Sequence, residues 1–164
     1  MIHRSGSTHA VRHGANLIFL SFTFLVCFPA ASLASGPDET QLDAATLMQM
    51  EQRAEAAQPR DQCFLFTEVL HGLTELAGRE IAAGDESDAT TTLQRIDAVA
   101  AKVEKASSDN PKRLKNAELL LEHITRRLTD MAHVASGAEQ TAMKSTLQEL
   151  DKVHTAVLGM VFAR

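Results

Sequence analysis

The sequence predicts an all-α protein, an antiparallel up-down four-helix bundle with an additional N-terminal helix. Three observations carry this. Four stretches repeat apolar residues at alternating spacings of three and four, the signature of one buried stripe on a helix. The segments between them are only a few residues long, which makes consecutive helices reverse direction. No stretch alternates apolar and polar residues as a half-buried strand would, and no glycine-rich turn cluster intervenes.

Residues 1–34 stand outside that bundle. Arg4, Arg12 and several histidines, with no acidic residue, precede the apolar run LIFLSFTFLVCF at Leu17–Phe28. PAASLAS follows, with Ser32 and Ala34 at the small-residue positions that a signal peptidase recognises. A basic start, a short apolar middle and a small-residue exit predict a secretory signal cleaved after Ala34. The run falls short of the ~20 residues of a spanning helix, so an uncleaved anchor is the weaker alternative. Val26 before Cys27 argues against lipoprotein processing, which wants a small residue there.

Residues 35–60 read as a linker, Ser35-Gly36-Pro37, and a peripheral helix over Asp38–Gln58 that Pro59 ends. Its apolar residues Leu42, Leu47, Met48 and Met50 point in different directions at ~100° per residue. Residues 61–164 hold the bundle. The first stripe is Cys63, Phe66, Leu70, Leu73, Ala77, closed by Gly84. The second is Ala89, Leu93, Ile96, Ala100, Val103, with Asp85 or Ser87 as cap. Asn110-Pro111 reads as the start of the third helix, whose stripe is Leu114, Ala117, Leu121, Ile124, Leu128, Met131, Ala135. Gly137 closes it, and Ser136 with Glu139 matches a capping box for the fourth. That stripe is Met143, Leu147, Leu150, His154, Val157, Val161.

Charge narrows the function. Removing 1–34 takes away Arg4 and Arg12, leaving fourteen basic residues against twenty-one acidic ones, a net charge of −7. That balance argues against nucleic acid and against anionic membranes as partners. Membrane contact is expected only through the signal segment during export. Cys63 is the one cysteine left after cleavage, so no intramolecular disulfide can form. It is either buried and inert or a candidate for an intermolecular disulfide.

The sharpest chemical candidate is a metal centre, because di-iron bundles carry inward Glu and Glu-x-x-His pairs. Three acid-x-x-His pairs occur: Glu68/His71, Asp130/His133 and Asp151/His154. At ~100° per residue, Glu68 and His71 fall roughly 140 to 160° from the Phe66 stripe, and Asp130 and His133 are likewise on the outer face of theirs. Only His154 lies on a core stripe, with Asp151 at its flank. The di-iron reading is therefore set aside, and His154 with Asp151 remains as the weak metal candidate. No nucleophile with a patterned base, no phosphate loop, no dinucleotide fingerprint and no C-x-x-C-H haem motif is present.

Gln62-Cys63-Phe64-Leu65-Phe66-Thr67-Glu68, Lys112-Arg113-Leu114-Lys115-Asn116-Ala117-Glu118-Leu119-Leu120 and the closing Leu147-x-x-Leu150-Asp151-x-Val153 run resemble a group of small exported bacterial helical proteins of unassigned activity. The resemblance covers roughly residues 60 to 164 and implies no activity, cofactor or site. It implies only that Cys63 and the Arg113–Glu118 stretch belong to a shared pattern. The expectation from the sequence is an exported, periplasmic or secreted, non-enzymatic bundle without a cofactor. Its partner is expected to be a protein, including a second copy of itself. The alternative is a small-ligand or metal-binding bundle built on a core histidine.

Overall fold

A computed structural model describes residues 42–109 and 111–163; the predicted signal segment and linker lie outside them. The helices are α1 (Ala44–Ala56), α2 (Pro59–Ala83), α3 (Glu86–Ser107), α4 (Leu114–Val134) and α5 (Gly137–Phe162), and no strand occurs among the described residues. None of these helices is long and apolar enough to cross a membrane.

Local chemistry sets most of the boundaries. The Asp43 side chain accepts the Thr46 N–H at 2.7 Å and caps α1. Pro59 is the first residue of α2, where its missing N–H costs nothing. Gly84 takes the left-handed conformation at φ 79°, and the Gly84 and Asp85 N–H groups close on the Ile81 and Glu80 carbonyls. Four expected starts differ. α1 begins at Ala44, inside the expected Asp38–Gln58 span, with Asp43 as its cap. Asp85 stands at the N-cap of α3, but its side chain makes no capping hydrogen bond. α4 begins at Leu114, three residues beyond Pro111, because Lys112 and Arg113 form a turn with Arg113 at φ 57°. The Lys112 N–H donates to the Arg60 carbonyl at 2.7 Å and ties that turn to the start of α2. The Ser136–Glu139 capping box is not made. Gly137 turns the chain at φ 62°, and the Gln140 amide donates to the Ala132 and Ala135 carbonyls at the end of α4.

Successive helices reverse direction as expected, but not every spatial neighbour is antiparallel. α2 packs on α3 and α4, and α5 packs on α3 and α4, so α3 and α4 face each other across a diagonal. α2 and α4 run parallel: Lys112 meets Arg60, His123 meets His71, and Arg127 meets Glu75, 52 residues away. α3 follows the end of α2 and α5 follows the end of α4 through short turns, so α3 and α5 are parallel as well.

The core is aliphatic. Leu70, Leu73, Ile96, Leu121, Ile124, Leu128, Met143 and Leu150 are wholly buried in one cluster. The stripes of α2, α3 and α4 fall where the spacing places them, except that Ala135 is only partly buried. That of α5 holds at Met143, Leu150 and Val157, but its face is turned by a fraction of a residue: Thr146 and Val153 are buried, whereas Leu147, His154 and Val161 are half-buried. A threonine can take a core position because its hydroxyl can be satisfied locally, as Thr67 does with the Cys63 carbonyl at 2.8 Å.

α1 is less peripheral than its pattern suggests. Leu47 and Ala54 are buried, one heptad apart, with Met50 partly packed between them. Leu47 sits over Gly72, where an added Cβ would lie 2.3 Å from its Cδ2. The helix runs antiparallel to α2. Arg79 donates to the Leu42 carbonyl at one end, and Gln62 to the Glu55 and Ala57 carbonyls at the other. Glu51 accepts from Arg95 and Lys102 of α3, and Glu55 also pairs with Lys102. These ion pairs hold Lys102 above its ordinary basicity, with Glu51 the main cause.

Candidate functional site

The residues singled out from the sequence fall in three environments. Cys63 is fully buried and unpaired at the head of the core. Desolvation pushes its thiol up to about 11. Thiolate is therefore scarce, and a disulfide to a second chain is closed off while the fold is intact. The sulfur serves as a small apolar core group instead.

His154 is half-buried, 22% exposed at the side chain, and its Nε2 lies 3.3 Å from Glu118 Oε1 of α4. Asp151 is exposed. The partner of His154 is thus a carboxylate across the α4–α5 interface rather than the one a turn earlier, and the pair is a clasp between two antiparallel helices. No third ligating group joins it among the described residues. Asp130 and His133 are exposed. Glu68 is half-buried beside Met50, Leu65 and Arg53 at the α1–α2 groove.

One constellation does converge, formed by residues that lie away from the core stripes. His71 and Glu75, one turn apart on α2, meet His123 and Arg127, one turn apart on the parallel α4. The two imidazole rings are 5.4 Å apart between centroids and tilted by 44°. Arg127 Nε lies 3.3 Å from Glu75 Oε1. Ligating atoms of His71, Glu75 and His123 all lie within 4.8 Å of one another. His71 and Glu75 are half-buried and His123 is exposed, so the group forms the rim of the α2–α4 seam, outside the aliphatic core.

The residue spacing was visible in advance: a His-x-x-x-Glu in one helix and a His-x-x-x-Arg in another. What was missing is the contact between those helices. Short loops suggested that spatial neighbours would be antiparallel, and the adjacency of α2 and α4 arises only because the α3–α4 connection crosses the diagonal. Placing His71 away from the core stripe is correct as far as it goes, but a position away from the stripe can still face a neighbouring helix.

The other grooves are shallow and lined by charged side chains rather than by convergent catalytic groups. Two of the three phenylalanines among the described residues sit beside them under cations. The Arg113 guanidinium lies 3.4 Å over Phe64 and the Lys102 ammonium 5.7 Å over Phe66. Phe162, at the end of α5, is 80% exposed.

No protein-family model, no curated protein and no solved structure matches the chain. The fold and the rim site define an all-α bundle with an aliphatic core and a His–Glu–His cluster at the α2–α4 seam.

Proposed function

We propose that this protein is an exported, non-enzymatic helical bundle that acts through protein–protein contact, first of all with a second copy of itself. The observation that supports the reading is the last two turns of α5. Residues 156–163, AVLGMVFA, carry no charge in a mature chain of net charge −7. Phe162 is 80% and Met160 40% exposed there. An added Cβ at Gly159 would meet nothing within 4 Å, so this side is open to a close approach. Like-charged copies repel at a distance, and an uncharged stretch that leads only to a basic residue, Arg164, is where two of them meet with the least opposition. An exposed aromatic beside a methionine is the composition enriched at interface centres. The same patch on both copies gives a closed two-fold contact. Its small extent makes the association weak and concentration-dependent.

Sedimentation velocity on the purified protein tests this. The expected result is a dimer that populates with concentration and that Phe162→Ser weakens by at least about tenfold. A monomer up to about 1 mM, or a dimer indifferent to Phe162→Ser, overturns it. The export part is tested by the mass of the chain recovered from envelope and culture-fluid fractions. Processing after Ala34 supports it, and an intact N-terminus in the cytoplasm rejects it.

A further inference from the structure

We propose that His71, Glu75 and His123 form a binding site for a divalent transition-metal cation of the zinc–copper type, clasping α2 to α4. The site is separate from the α5 surface and does not depend on self-association. Two imidazole nitrogens and one carboxylate oxygen are the donor set of an open zinc site, with a fourth position left to water. Such ligands surround a metal at about 2.0–2.2 Å, which places tetrahedral donor atoms about 3.4 Å apart and two bound rings about 5 Å apart. The three side chains here bring their ligating atoms within 4.8 Å and their rings to 5.4 Å. Closing the remaining distance takes small rotations, and His123 is exposed and able to make them.

The backbone supplies the preorganisation. His71 and Glu75 occupy successive turns on one face of α2. The parallel register that sets Lys112 against Arg60 and Arg127 against Glu75 holds His123 opposite them. Arg127 Nε lies 3.3 Å from Glu75 Oε1, the arrangement in which a neighbouring group orients a ligating carboxylate. The ligand chemistry also selects the ion. With neutral imidazoles, the carboxylate charge is balanced by the Arg127 guanidinium. Calcium and magnesium, which want several oxygens, gain little here, whereas nitrogen-seeking copper and zinc gain most.

Because α2 and α4 are not consecutive in the chain, a metal across them adds a link that no loop provides. Binding therefore raises the unfolding temperature as well as producing heat. The test is calorimetric titration of the untagged, chelator-stripped protein with Zn²⁺, Cu²⁺ and Mg²⁺, with thermal unfolding followed by circular dichroism. We expect one equivalent of Zn²⁺ or Cu²⁺ and no Mg²⁺ heat. His123→Ala and Glu75→Gln should each weaken binding by at least about tenfold and abolish the thermal shift. His133→Ala, an exposed histidine on the same helix, and His154→Ala should leave both readings unchanged. His123 is exposed, so its variant keeps the fold and the comparison stays interpretable. Absence of Zn²⁺ and Cu²⁺ binding up to about 1 mM overturns the proposal, as does binding that survives in His123→Ala or is lost in His154→Ala.

Discussion

His71 and Gly72 are neighbours in the chain and face opposite kinds of company. Gly72 turns to α1, where Leu47 occupies the place a side chain would fill. His71 turns to α4, where another imidazole, a carboxylate and a guanidinium share a solvent-washed rim. One face of α2 is dry and steric; the other is polar and adjustable. α2 can carry both because helices flank it on three sides: α1, α3 and α4. The lesson is that neutrality toward the main stripe says little about a position on such a helix. A glycine with no apolar surface of its own seats a core leucine, and a histidine away from the stripe joins a seam.

The largest effect should come from emptying the dry contact. Leu47 is wholly buried, and Leu47→Ala leaves a void over Gly72. The expected cost is about 2–5 kcal/mol, the range for a large aliphatic truncated in a core. Urea unfolding measures it. Amide exchange should show where it falls, with α1 losing protection before α2. A change under about 0.5 kcal/mol would mean that α1 is only loosely laid on the bundle and that the two faces of α2 are alike.

Filling the same contact gives the next effect, and its sign depends on the partner. Gly72→Ala places a Cβ against Leu47 Cδ2 and 3.2 Å from Leu42 Cδ1, so the Leu47 side chain must turn away or α1 must lift. Overpacking costs about 1–3 kcal/mol, offset by the ~1 kcal/mol that alanine gains over glycine within a helix. The net expectation is destabilisation by about 1 kcal/mol. In the Leu47→Ala background the main clash is gone, only the 3.2 Å contact with the Leu42 side chain remains, and the helix gain persists, so Gly72→Ala should stabilise. The four-protein cycle read by urea unfolding reports this reversal as a coupling term. Additivity would show that Gly72 does not receive Leu47.

This pair also shows what the sequence could reveal. The helices, their reversals and the core stripes of α2, α3 and α4 were legible, because a packed face obeys a period that spacing alone displays. The α5 face was half legible: Met143, Leu150 and Val157 are buried as spaced, but Thr146 and Val153 take the places expected for Leu147 and His154. Apolar content misplaces a stripe wherever a threonine takes a core place and a histidine pairs across its edge. The seating of α1 was hidden because one of its halves is a glycine. The rim of α2 and α4 was hidden because it rests on which helices touch, and that depends on where the α3–α4 connection crosses. His154 was legible as a special position, but its carboxylate, Glu118, lies 36 residues away.

The second parallel edge, α3 with α5, offers a smaller test of polar seams. Asp97 has one oxygen buried without a partner. Burial raises its carboxyl above the ordinary value of 3.8, the neighbouring Glu149 adds to this, and a hydrogen bond with Thr146 opposes it. A carboxyl raised in the folded state binds a proton more readily there than when unfolded. Stability should therefore fall as pH rises from 3.8 through the folded value, and remain lower above it. Asp97→Asn removes that loss and keeps an acceptor for Thr146. It should stabilise the protein at pH 7 by less than about 1 kcal/mol, reduced by solvent at a partly exposed site. The gain should vanish below pH 3.8, where both states hold the proton. Thermal unfolding of both proteins from acid to neutral pH measures the window. A gain that persists at the acid end would locate the effect in packing rather than charge.

The smallest effect returns to the first comparison. His71→Ala, next to Gly72, should change stability by no more than about 0.5 kcal/mol in metal-free buffer. The lost ring is half-buried, its neighbours His123 and Glu75 keep contact with water or Arg127, and no closed void forms. Urea unfolding of His71→Ala and Gly72→Ala under one condition places adjacent positions on one scale. If His71→Ala costs as much as Gly72→Ala, the seam is a second dry contact and the polar rim is part of the core. If it costs nothing, the cluster is free to answer to a ligand, because its geometry is held by the register of α2 on α4 rather than by its own contacts.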